Sequence, residues 1–123
     1  FGHTIGHALE SAALSTGRDD LSHGEAIAAG MICETYISYL KGMIPGKELE
    51  DVSAGLKYHF RYLECFSDLR EQLMPFILND KKNEEEEIIF TLLSGIGHAV
   101  INQDAGSRLI HESLDYYENV YKS

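Results

Sequence analysis

Residues 1–10 read Phe1-Gly2-His3-Thr4-Ile5-Gly6-His7-Ala8-Leu9-Glu10, and residues 22–31 read Ser22-His23-Gly24-Glu25-Ala26-Ile27-Ala28-Ala29-Gly30-Met31. In the first stretch and just beyond it, Ile5, Ala8, Leu9 and Ala12 fall at i, i+3, i+4 and i+7, the apolar stripe of an amphipathic helix over residues 4–14. Ser15 to Asp20 break that pattern. In the second stretch Ser22 followed by Glu25 forms a capping box, in which the serine oxygen and the glutamate carboxylate each accept a free backbone N–H. A second helix is therefore predicted from about His23 through Ile27, Met31, Tyr36 and Leu40 to a stop at Gly42, with Pro45 beyond. It is apolar on more than one face, which predicts the central, most buried helix.

Working outward, the pattern predicts a third helix from Lys47 to Leu63 and a fourth from Ser67 to Leu78, bent or shortened by Pro75. Asn79 to Asn83 reads as a turn, and Glu84 to Glu87 as a solvated acidic run. Ile88 to Leu93 and Ala99 to Asn102 are short β-prone stretches, too few for a sheet-based domain. From Ser107 onward Ile110, Leu114, Tyr117 and Tyr121 mark a last helix. The predicted fold class is mainly α, one helical domain over residues 1–123 with a small β element near 88–102, since 123 residues allow one compact domain.

Twenty Asp and Glu against ten Lys and Arg give a formal charge of -10, which repels nucleic-acid phosphates and anionic lipid unless a basic patch overrides it. The sequence contains no such patch, no apolar run near the roughly 20 residues that span a bilayer, and no secretory signal pattern. Neither a nucleic-acid nor a membrane partner is expected, and the expected compartment is cytoplasmic. Cys33 and Cys65 are far apart and lack a C-x-x-C pattern, so both read as core residues rather than as a disulfide or thiolate zinc site. The chain opens at Phe1 inside a motif, which suggests a piece of a larger protein.

His3 and His7 are four residues apart, which on a helix places both imidazoles on one face within reach of one ion. An antiparallel second helix would bring His23 towards them. Spacing alone makes His7 a ligand beside His3; the competing possibility is that these histidines cap or fill the fold. His59, His98 and His111 lie outside any motif and read as surface or structural groups.

The words around the histidines carry more. Residues 1–10 and 23–31 closely resemble the paired motifs of 3-dehydroquinate synthase, approximately N-F-G-H-T-x-G-H-A-x-E and H-G-E-A-V-A-x-G-M, and Asp80-Lys81-Lys82 with Phe90 to Gly97 resembles a third family segment. The resemblance implies a zinc- (or cobalt-) and NAD-dependent enzyme of the shikimate pathway, a lyase that converts 3-deoxy-D-arabino-heptulosonate 7-phosphate into 3-dehydroquinate with loss of phosphate. It implies that this chain is the C-terminal helical domain, that an N-terminal α/β domain absent from it binds NAD, that the whole is a homodimer, and that the chain alone is inactive. Carried over residue by residue, His3 and His23 are metal ligands beside a glutamate upstream of this chain, and His7 faces substrate for hydrogen bonding or proton transfer. A substrate-anion contact falls at Lys81 or Lys82. Glu10 reads as the residue that orients a histidine, and Glu25 as the capping-box partner rather than a general base.

Two departures from the family pattern stand out. Asn83 to Glu87 is acidic where the family carries glycine and basic residues, and the connection from Ser11 to Ser22 is long. The alternatives are a related sugar-phosphate cyclase, a metal-dependent polyol dehydrogenase, and, from a different class, a helical interaction module with structural histidines. A phosphohydrolase would want a His-Asp pair, which the chain lacks.

Overall fold

The helix starts and stops written into the sequence set the architecture of the computed structural model, which describes residues 3–17, 22–80, 89–95, 98–104 and 107–122. The elements are α1 (His3–Ser15), α2 (His23–Leu40), α3 (Gly46–His59), α4 (Phe66–Arg70), α5 (Leu73–Asp80), β1 (Ile89–Gly95), β2 (His98–Asp104) and α6 (Ser107–Val120). α2 begins where expected, because the Ser22 hydroxyl accepts the Glu25 N–H at 3.2 Å and the Ser22 carbonyl accepts the Ala26 N–H at 3.0 Å. It ends in a Schellman turn: Gly42, at φ 76°, donates to Tyr39 O, and Met43 donates to Ser38 O.

Three helix boundaries differ from the sequence expectation, one of them because α5 runs on through Asn79 and Asp80, which the sequence reads as the start of a turn. α3 stops at His59 rather than Leu63, with Phe60 in extended backbone. The following segment is drawn to the C-terminal end of α6 and the turn after it: the Tyr121 hydroxyl donates to Phe60 O at 2.8 Å, and the Tyr117 hydroxyl accepts the Leu63 N–H at 2.9 Å. The fourth helix is two, α4 and α5, broken at Glu71 and Gln72. Pro75 is the third residue of α5, where a missing N–H is harmless, but its ring would clash with the Glu71 carbonyl in a continuous helix. The proline therefore breaks the helix upstream of itself.

β1 and β2 pair antiparallel, Ile89 opposite Asp104 and Gly95 opposite His98, with two irregularities in register. This is the expected small β element, shifted slightly towards the C-terminus. α2 is the hub, packing against α1, α3, α6 and β1, while α1 also touches α4 and α5. Its buried residues include Ala26, Ala29, Gly30, Ile32, Cys33 and Ile37, spread over several faces as the sequence predicted.

Ile5, Leu9, Ile32, Ile37, Phe66, Leu69, Leu73, Ile77, Ile110 and Tyr117 are the largest fully buried side chains and join all the helices except α3 into one core. Both cysteines are free and buried. α3 is tied in separately, by the Ser53 hydroxyl against Tyr116 Oη at 2.8 Å, and Tyr116 stacks on Tyr36 of α2 at 4.3 Å. Arg70 of α4 pairs with Asp115 and Glu118 of α6. No helix among the described residues is long and apolar enough to cross a membrane.

Candidate metal and substrate site

α1 and α2 meet along a seam of small residues. A Cβ at Gly6 would lie 3.2 Å from Ala26 O and 3.3 Å from Ile27 Cα, so the two backbones nearly touch there. One turn further along α1, Glu10 Oε2 lies 2.8 Å from His23 Nδ1. From Gly6 to Glu10 the facing residue on α2 descends from Ile27 to His23, so the helices run antiparallel. His23 is the first residue of α2, presented at a helix start that the Ser22 cap fixes.

An ionised carboxylate can only accept, so this contact puts the proton of a neutral His23 ring on Nδ1 and leaves the Nε2 lone pair available. That is the arrangement in which metal-bound imidazoles are held, with the remote nitrogen bonded to a carboxylate that fixes the ring and raises its basicity. The His23 side chain is 64% exposed and Glu10 30%, so the pair lies at the surface and the ring is largely open to solvent. His23 fits a zinc or cobalt ligand by its chemistry. Among the described residues no three His, Cys, Asp or Glu side chains gather to hold a metal ion.

His3 lies on the first turn of α1, with its side chain outside the described residues. His7 is exposed one turn before Glu10 on α1. Lys81, Lys82 and the acidic run at 84–87 lie outside the described residues. His59 and His111 are exposed, as expected for groups outside the motifs.

Only half of the expected capping box forms. The Ser22 hydroxyl takes the Glu25 N–H, but the Glu25 carboxylate turns to Arg61, whose Nε donates to Oε2 at 3.3 Å. This pair borders a pocket of about 390 Å³ lined by Glu25, Arg61, Tyr62, Leu63, Glu64 and Cys65. The pocket is lined by neither His23 nor Glu10. Leu63 in its wall is held by Tyr117 of α6, and the adjoining Phe60 by Tyr121 just past the end of that helix; burial pushes both phenols above the ordinary tyrosine range, with the nearby Glu25 carboxylate adding to the effect at Tyr121. Sequence patterns missed the Arg61 partnership because it spans 36 residues. They also left open which histidine Glu10 orients; the pairing with His23 depends on how α1 lies against α2.

The same architecture recurs in solved cyclases. 2-Epi-5-epi-valiolone synthase from Streptomyces hygroscopicus subsp. jinggangensis, solved with NAD+ and Zn2+ bound, matches with a TM-score of 0.72 at 27% identity, over 97% of this chain and 32% of that one. 2-Deoxy-scyllo-inosose synthase, solved with carbaglucose-6-phosphate, NAD+ and Co2+, matches with a TM-score of 0.71 at 26% identity, over 94% of this chain and 32% of that one. The fold is thus that of the dehydroquinate synthase-like sugar-phosphate cyclases. Residues 1–83 match the family described as 3-dehydroquinate synthase C-terminal, and the chain belongs to that family.

Among relatives, the 3-dehydroquinate synthase of Parabacteroides distasonis is 39% identical over 121 residues, 98% of this chain and 34% of its own. That of Chlorobaculum tepidum is 36% identical over 108 residues, 83% of this chain and 28% of its own. The chain therefore spans about a third of the length of the relatives it matches.

Proposed function

We propose that this chain is the metal- and substrate-binding helical domain of a 3-dehydroquinate synthase, converting 3-deoxy-D-arabino-heptulosonate 7-phosphate into 3-dehydroquinate and phosphate. The observation that carries this is the Glu10–His23 contact, which ties together the two histidine motifs and gives one imidazole the hydrogen bonding a metal ligand needs. In this reading His3 and His23 hold zinc or cobalt together with a carboxylate from an upstream NAD-binding domain. When bound, the metal supplies Lewis-acid stabilisation of charge developing on substrate oxygens, and NAD supplies the hydride acceptor.

This chain's residues then do the positioning. Glu10 fixes the His23 ring plane and tautomer, and the Ser22 cap fixes the backbone that carries it. His7, exposed on α1 one turn from Glu10, takes or returns a proton at a substrate hydroxyl. Lys81 or Lys82 clamps the phosphate or carboxylate of the sugar acid. The working protein in this proposal is a cytoplasmic homodimer that needs no nucleic acid or membrane.

The solved neighbours, which are cyclases of other names, favour one second reading: the same site serving a different sugar phosphate. Phosphate release by the protein as encoded, with NAD and zinc, separates the two. Turnover of 3-deoxy-D-arabino-heptulosonate 7-phosphate and not of sedoheptulose 7-phosphate is the expected result. Turnover of the second alone would reassign the substrate, and turnover of neither would overturn both readings.

A further inference from the structure

We infer that Gly6 is a positioning residue: the lack of a side chain there lets α1 lie close enough to α2 for Glu10 to reach His23. Glycine within a helix is disfavoured relative to alanine, so its place in the second turn of α1 calls for a packing reason. That reason is steric. A Cβ at position 6 would stand 2.7 Å from Ile27 Cδ1, 3.2 Å from Ala26 O and 3.3 Å from Ile27 Cα. The Ile27 methyl is the end of a flexible chain and can swing aside. The other two atoms are backbone and give way only if the helices separate by a few tenths of an ångström.

Helix α1 cannot escape by rolling, because Ile5, Ala8, Leu9 and Ala12 are all fully buried on its core side. A displacement at Gly6 therefore passes along a stiff helix to Glu10, four residues and one turn away on the same face. There the 2.8 Å contact from Glu10 Oε2 to His23 Nδ1 lengthens, and such a bond weakens steeply with distance and misalignment. The spacing itself is a property of this seam, and its consequence for the metal rests on the proposed function.

The test uses the protein as encoded, with two readouts. In the metal-free protein, histidine-selective ¹⁵N NMR reports the His23 tautomer. Gly6→Ala is expected to move His23 away from the Nδ1–H form, as Glu10→Ala is. In chelator competition, Gly6→Ala is expected to weaken zinc binding about tenfold, and to add nothing in a Glu10→Ala background because it acts through Glu10. Ile27→Val removes the methyl nearest the new Cβ and leaves only the crowding against backbone, so Gly6→Ala/Ile27→Val is the variant to measure should Gly6→Ala alone lose its fold.

An unchanged His23 spectrum in the folded glycine variant would overturn the inference, as would an equal zinc loss with and without Glu10. If His23→Ala leaves zinc binding intact, the metal reading falls. The spacing role of Gly6 would still stand or fall on the tautomer spectrum.

Discussion

Glu10 reaches across from its own helix to an imidazole on the next one, and the 2.8 Å contact it makes constrains His23 far more than it stabilises the fold. Both groups are too exposed for their pairing to contribute much more than a surface ion pair, about 0–1 kcal/mol. Its effect is in orientation. Glu10→Gln keeps the side chain's shape but removes the carboxylate, and zinc affinity of the encoded protein should fall about 10- to 100-fold by chelator competition. An unchanged affinity would reduce the contact to helix packing.

Tyr117 gives a second test on a single side chain. Its hydroxyl accepts the buried Leu63 N–H, and burial raises its pKa above the ordinary value of about 10. A folded-state pKa above the unfolded one means the contribution is complete below about pH 10 and is lost as the pH rises beyond it. Urea unfolding should therefore show stability falling with alkaline pH. Tyr117→Phe should flatten that fall in part, since Tyr36, Tyr116 and Tyr121 are shifted in the same direction. At neutral pH the same variant strands the Leu63 N–H and should cost about 1–3 kcal/mol.

Among the elements, α2 matters most because its first residue is His23. Ser22→Ala removes the hydroxyl that holds the start of the helix and should lower stability by about 1 kcal/mol in chemical denaturation. Arg61→Ala should cost less than about 1 kcal/mol, because the arginine side chain is 89% exposed. A larger loss at Arg61 than at Ser22 would mean that the Glu25–Arg61 pair, rather than the cap, fixes the helix start. α1, α2 and α6 were legible in the sequence because each carries a local signal: an apolar stripe, a serine cap, or a glycine at the C-terminal stop. Pro75 announced a bend or shortening of the fourth helix, but not that its ring, acting four residues upstream, splits it into α4 and α5; the early end of α3 was not legible, since it follows from Tyr117 and Tyr121 drawing the chain away. The candidate site divides in the same way. His3, His7 and His23 could be found from motif and spacing, whereas the pairing of Glu10 with His23 depends on a helix seam set by Gly6, which local periodicity does not encode.

For the molecule as a whole, one core built around α1 and α2 connects the split helices and the C-terminal helix to the histidine motifs, and β1 packs against α2. Phe66 sits fully buried in that core against Tyr117, with ring centroids 4.5 Å apart. Phe66→Ala should cost about 3–5 kcal/mol, a large part of the roughly 5–15 kcal/mol that a domain has, and should appear as a lowered denaturant midpoint. Function is distributed differently from stability: this chain covers about a third of its relatives' length, so its histidines are proposed as part of a ligand set completed from outside it. The most direct test is zinc content by elemental analysis of the encoded protein beside its His23→Ala variant, with folding checked by circular dichroism. About one equivalent in the native protein and almost none in the folded variant is the expected result, whereas equal zinc in both would contradict His23 as a metal ligand.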